Sequence, residues 1–221
     1  THQVRKHGIS QPTLRYIYRT VIRRANLAVP KKEKKLYRLP TSSELDSFFK
    51  VIKNPQEHLL FQLMLATAAR TSEICSITIS NIDFDSNVIL IKGKGLKERQ
   101  LVVTTRTIEK IKYFLSGYEK HRSHLFLNRL LLPYTVRRVE QIMQHYKEVA
   151  GITSQWTPHS LRHYTLSHLS GSSNLNLSVV QRIAGHEHLQ TTAIYQNLMS
   201  SDSRSLILEK LQELEAKSIL K

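Results

Sequence analysis

Four short stretches hold most of the side chains that could act on a substrate. "AARTSE" places Arg70 and Glu73 directly after an apolar run, and "KGKGLKER" sets Lys92, Lys94, Lys97 and Arg99 around Gly93 and Gly95. "WTPHSLRHYTLSHL" carries His159, Arg162, His163 and His168, and "GHEHLQTTAIYQ" carries His186, His188 and Tyr195. The chemistry that suits such a set is that of a phosphate. Two arginines can clamp the non-bridging oxygens of a phosphodiester and stabilise the extra charge of a pentacoordinate transition state. A lysine on a flexible tip can protonate an alkoxide leaving group, and a histidine can take the proton of an attacking hydroxyl. A tyrosine beside such cations is a fit covalent nucleophile, because neighbouring positive charge favours the phenolate.

Each stretch also has a plainer reading. Arg70 and Glu73 lie one turn apart, so a structural ion pair would satisfy both, since an arginine emerging from an apolar segment needs an anionic partner. Basic hairpin tips are often only solvated, and the order of a phosphate-binding nucleotide loop is absent from this one. His159, His163, His168 and His186 invite a metal, but no His-Glu-x-x-His pattern, cysteine pair or aspartate set accompanies them. The adjacent arginines would also repel a divalent cation. Cys75, the single cysteine, allows no internal disulfide and reads as a small buried hydrophobe.

The whole chain is biased the same way as these islands. Its 221 residues include 33 Lys and Arg against 17 Asp and Glu, a formal charge of +16. That balance favours an extended anionic partner, nucleic acid or an anionic membrane surface. Hydrophobic residues make up 40%, a globular value. No uninterrupted apolar run approaches the roughly 18 residues of a spanning helix, and the opening "THQVRKHGIS" lacks a signal-peptide core. A reducing, cytoplasmic setting is expected.

The elements that must position these residues are mostly helical. "PTLRYIYRTVIRRANLA" at 12–28 is an amphipathic helix with Arg15, Arg19, Arg23 and Arg24 on its basic face. "VPKKEKKLYRLP" at 29–40 is a Pro-bounded basic linker whose Lys31, Lys32, Lys34 and Lys35 either straddle a phosphate backbone or are merely solvated. A capping signal at Ser42 or Ser43 opens the main domain, and "HLLFQLMLATAA" reads as its central buried helix, ended by Arg70. Strands are expected near 82–84, 88–91 and 101–103, then helices at about 106–119, 134–149, 160–170, 176–184 and 203–217. The fold class is therefore mainly α with a small three-stranded antiparallel β-sheet (α+β).

Four segments in order, "ATAARTSEI", "IKGKGLKERQLVV", "TPHSLRHYTLSHL" and "IAGHEHLQTTAIYQNL", resemble the catalytic domain of the tyrosine recombinase (phage integrase) family. The resemblance covers about residues 40 to 200. It implies a catalytic set of Arg70, Lys94, His159, Arg162, His186 and Tyr195, the last nine residues beyond His186. On that pattern Tyr195 attacks the scissile phosphodiester, giving a 3′-phosphotyrosyl link and a free 5′-hydroxyl. Arg70 and Arg162 hold the phosphate, His159 acts as base, Lys94 protonates the leaving oxygen and His186 donates a hydrogen bond. Neither metal nor ATP nor other cofactor is required, and Glu73 is an orienter of the arginine region. Lys31, Lys32, Lys34, Lys35, Lys92, Lys97 and Arg99 are expected to contact DNA, while tyrosines such as Tyr164 are packing residues.

The same resemblance implies an organisation and partners. Residues 1–39 are expected to be the remnant of an N-terminal core-binding domain (one helix) with a basic linker, residues 40–200 the catalytic domain. Residues 201–221 form an amphipathic C-terminal helix, packed on its own domain or exchanged between subunits. The partner is double-stranded DNA, on which the chain forms a dimer to tetramer; no membrane is involved, and the setting is the cytoplasm, with the nucleoid. Site-specific recombination is thus expected, with relaxation of the type IB topoisomerase kind or a silent DNA-binding regulator as the competing functions.

Overall fold

The computed structural model of the chain describes residues 10–26, 38–92, 98–117, 122–170 and 201–214. Chain contacts divide it into two units, Thr1–Leu36 and Tyr37–Lys221. In the first, α1 (Gln11–Arg24) begins where Ser10 accepts a hydrogen bond from the Thr13 N–H, with Pro12 in its first turn. None of its residues is buried.

The second unit opens on α2 (Ser42–Val51). Its cap is Thr41, not Ser42 or Ser43: Thr41 Oγ1 accepts from the Glu44 N–H at 3.2 Å, and Glu44 Oε2 accepts from the Thr41 N–H at 2.8 Å. The reciprocal pair needs Glu three residues after the cap, which singles out Thr41. Helix α3 (Pro55–Thr67) starts at Asn54 and Pro55, and every residue from Leu59 to Thr67 is buried. Such all-round apolarity marks a helix enclosed by others; α5 (Thr105–Ser116) and α7 (Pro158–Ser170) pack against it. The short α4 (Thr71–Cys75) follows as a separate element.

The sheet is three-stranded and antiparallel in the order β1 (Ile82–Asp83), β2 (Val88–Lys92), β3 (Glu98–Val102). Its register pairs Val88 with Val102, Ile89 with Leu101 and Ile91 with Arg99. Ile89, Ile91 and Leu101 are buried, so one face of the hairpin joins the core.

Helix α6 (Val136–Val149), capped by Thr135, packs against α7 and leads to it through a turn pinned by a buried lysine. Lys147 Nζ donates to the Trp156 carbonyl at 3.0 Å and lies over the Trp156 ring, which packs edge-on against Phe48 at 5.3 Å. Helix α8 (Ser201–Leu214) buries Ile207 and Leu211 and lies near β3 within this one chain. The expected helix at 176–184 falls outside the described residues. Cys75 is buried, and burial pushes its thiol up to about 11, away from reactivity. Tyr164 is buried in the core, with its hydroxyl 3.3 Å from Ser42 Oγ.

Candidate active site

The site forms where α3 stops. The helix ends at Thr67 rather than running on to Arg70, because Ala68 turns into the left-handed region at φ 50°. Thr67 Oγ1 both donates to the Leu63 carbonyl at 2.7 Å and accepts from the Ala69 N–H at 3.2 Å, which tightens the exit. Arg70 is then the extended cap residue of α4, with φ −69° and ψ 148°. Its own N–H donates to Glu73 Oε2 at 2.7 Å and its guanidinium to Glu73 Oε1 at 2.9 Å. Glu73 thereby does what a capping glutamate does for a helix start, and fixes the backbone of Arg70 at the same time.

Arg162 reaches the same turn from α7. Its Nη1 donates to the Ala68 carbonyl at 2.6 Å, and the side chain is almost wholly buried, at 3% exposure. The left-handed turn at Ala68 presents that carbonyl, so the strain of an L-residue at positive φ is coupled to the seat of an arginine. Thr165, one turn along α7, donates to the Leu65 carbonyl at 2.8 Å and holds the two helices in this register. His159 stands on the exposed side of the first turn of α7, its ring 4.5 Å from that of His163 in an edge-to-face arrangement.

Glu73 has a second guanidinium. Arg99 Nη2 donates to Glu73 Oε2 at 2.8 Å, with the arginine side chain only 11% exposed. Arg99, expected to contact DNA, therefore has an internal partner that the expectation did not include. The signal was the period of two: Arg99 shares a strand face with buried Leu101 and sits opposite buried Ile91. A charge on that face requires an internal partner.

The electrostatics follow from three arginines around one carboxylate. Burial, then the like charges of Arg70 and Arg99, pull Arg162 down to about 10 against the opposing pull of Glu73; it is still a cation at neutral pH. Partial burial of its ring, then His163, Arg162 and Arg70, lower the pKa of His159, so the imidazole is neutral near pH 7 and can accept a proton. Burial works to raise Glu73, but Arg99 and the hydrogen bonds from both arginines overcome it and hold the carboxyl ionised. Perturbed ionisable groups concentrated at one surface mark a candidate functional site. Among the described residues, no three His, Cys, Asp or Glu side chains stand close enough to hold a metal.

The structure thus brings Arg70, His159, Arg162 and Glu73 together and adds Arg99. Lys31, Lys32, Lys34, Lys35, Lys94, Lys97, His186 and Tyr195 lie outside the described residues, and Lys92 is described only as the last residue of β2. Among the described residues, no helix is long and apolar enough to cross a membrane.

Residues 39–201 match the model of the phage integrase family, and the chain belongs to that family. Among its relatives is the tyrosine recombinase XerC of Bacillus subtilis (strain 168), 31% identical over 180 residues that cover 76% of this chain and 59% of that protein. The chain therefore spans a little over half the length of that relative. The integrase of mycobacterium phage Brujita shares the fold with a TM-score of 0.66 at 20% identity, covering 92% of this chain and 69% of that one. The XerH site-specific recombinase, solved bound to its palindromic difH substrate after cleavage, gives a TM-score of 0.60 at 22% identity over 85% of this chain and 54% of that one. The mainly α fold with its three-stranded antiparallel sheet is the fold of these recombinases.

Proposed function

We infer that this chain is the catalytic part of a site-specific DNA recombinase that cleaves and rejoins duplex DNA through a 3′-phosphotyrosyl intermediate. The observation that carries this reading is the excess of positive charge at the end of α3. Arg70 and Arg99 bond a single carboxylate, Arg162 stands within its field on the Ala68 carbonyl, and Arg70 keeps a side chain 39% exposed. A phosphodiester would complete that balance, as its non-bridging oxygens accept from both clamp arginines.

In the reaction, the Tyr195 oxygen attacks phosphorus, the bond to the 5′-oxygen breaks, and the tyrosine is left esterified to the 3′-phosphate. The phenol proton goes to His159 and the leaving 5′-oxygen takes one from Lys94, while Arg70, Arg162 and His186 hold the phosphate oxygens. The ester preserves the bond energy, so a 5′-hydroxyl of a second strand can reverse the step without ATP or metal. Support for Lys94, His186 and Tyr195 comes from the family pattern in the sequence, and for a DNA partner from the charge of +16 and the family. The basic segment around Lys31, Lys32, Lys34 and Lys35, with Lys92 and Lys97, would contact the phosphate backbone. Dimers to tetramers would assemble on the DNA, with residues 201–221 either packed in their own domain or exchanged between subunits, in the cytoplasm with the nucleoid.

The test uses nicked suicide duplexes cut from the DNA that borders the coding sequence. A detergent-stable protein–DNA adduct should form and vanish in Tyr195→Phe. Failure of the unmodified chain to form any adduct on such duplexes contradicts the reading. Strand exchange between two sites, as opposed to relaxation of a supercoiled plasmid alone, separates recombinase from topoisomerase.

A further inference from the structure

Glu73 is 3% exposed and accepts three hydrogen bonds that are not equivalent. Oε1 takes the Arg70 guanidinium, whereas Oε2 takes both the Arg70 N–H and the Arg99 guanidinium. Burying a carboxylate is costly unless cations stay with it. Arg70 cannot fill that need permanently if its guanidinium is to turn to a phosphate. Its side chain is 39% exposed against 11% for Arg99, so one cation faces outward and the other is locked inside.

We propose that Arg99 is a positioning residue for Arg70, acting through the shared carboxylate of Glu73. This rests on the reading of the site as a phosphodiester-transfer centre. When phosphate oxygens draw the Arg70 guanidinium away from Oε1, Oε2 keeps Arg99 and the Arg70 N–H. Glu73 then remains ionised, and the backbone from which Arg70 reaches out does not move. Without Arg99, the guanidinium bonded to Glu73 is that of Arg70 itself, and the phosphate must compete with a buried carboxylate for it. Among the described residues, the charged groups that act on Glu73 or feel it are Arg70 at the α3–α4 turn, Arg99 on β3 and Arg162 on α7, all cations. Of those that oppose the upward push of burial on Glu73, Arg99 is the strongest. The role also explains an arginine on the buried face of β3, opposite Ile91, where an aliphatic residue would ordinarily stand.

The experiment is a double-mutant cycle with two readouts. Single-turnover adduct formation on the suicide duplex should fall about 100-fold in Arg99→Met, the scale of a misplaced catalytic group. Arg99→Lys, which keeps the charge but loses the planar fork, should lose about tenfold. In a Glu73→Gln background, where the buried charge is gone, Arg99→Met should cost no more than about twofold, because coupled residues are non-additive. That background also restores folding should Arg99→Met alone be too unstable to study. Equal losses in both backgrounds would mean that Arg99 acts on DNA directly and would overturn the proposal. Amide hydrogen exchange supplies a readout without catalysis: the Arg70 N–H should exchange about tenfold faster in Arg99→Met, the scale of one weakened hydrogen bond. An unchanged Arg70 amide overturns the proposal even if the chain cleaves no DNA. Absence of adduct in the unmodified chain, with the amide effect present, contradicts the functional reading and leaves the positioning of Arg70 by Arg99 supported.

Discussion

Helix α3 carries a polar network at each end, one centred on an amide and the other on a carboxylate. At its start, Gln56 is a neutral hub: its Nε2 donates to the Leu127 carbonyl and the Tyr134 hydroxyl, both at 2.8 Å. Its Oε1 accepts from the Leu127 N–H at 3.2 Å and from Arg122. One amide there joins a main-chain segment, a phenol and an arginine. At the other end, Arg70 and Arg99 bond one glutamate, and Arg162 is seated beside them on the Ala68 carbonyl. The amide-centred network ties the helix to the 122–134 segment, and the carboxylate-centred one gathers arginines at the helix exit. On the function proposed above, the two clusters would serve stability and chemistry separately.

The sharpest way to break that contrast is to remove one member of each cluster. Arg70→Ala should slow adduct formation by about 10²- to 10³-fold, the scale for loss of one transition-state hydrogen-bond donor. Its unfolding midpoint should fall much less than its rate. Gln56→Leu should do the reverse, lowering stability by about 2–3 kcal/mol because it orphans buried groups of Leu127 and Tyr134. Denaturant titration reads the stability, and cleavage below the melting range should stay near the unmodified value. If Gln56→Leu abolishes cleavage while still folded, the two ends are not separable as described.

A smaller effect concerns protons. A base must be neutral to act, and the pKa of His159 lies below the ordinary 6.5 because burial and neighbouring cations disfavour its charge. The adduct rate should therefore stay level as pH falls to 6.5. Below the lowered pKa it should drop by about tenfold per pH unit, as expected when a single base is protonated. A limb already steep above pH 6.5 would assign the base elsewhere. The smallest change is at the turn: Ala68→Gly should stabilise the chain by about 0.5–1 kcal/mol, since glycine adopts positive φ without the Cβ penalty. Because Arg162 binds the Ala68 carbonyl and not its side chain, cleavage should be nearly unaffected.

Much of this was legible in the residue order, for reasons that differ along the chain. The buried α3 announced itself through "HLLFQLML", and the β2–β3 hairpin through the alternation on both sides of its glycine-rich loop. Arg70, His159 and Arg162 were marked by type and spacing, and they do converge. The end of α3 was misplaced because alanine at Ala68 gives no warning of a left-handed turn; glycine is the usual signal there. The cap of α2 was placed one or two residues late because Thr41, Ser42 and Ser43 are all competent, and only the partner Glu44 decides. The alternation of β3 marks Arg99 as inward-facing, but its partner lies 26 positions earlier in the chain, a distance that local pattern does not bridge. The hub at Gln56 was invisible for the same reason, with partners at Leu127 and Tyr134.

The central claim is that the positive end of α3 holds a scissile phosphate for Tyr195. It is tested most directly by digesting the adduct formed on a suicide duplex and identifying the peptide that carries the nucleotide. A 3′-phosphate ester on Tyr195 is expected, formed far more slowly when Arg70 or Arg162 is replaced. An adduct on any other residue, or one whose rate ignores both arginines, would contradict it.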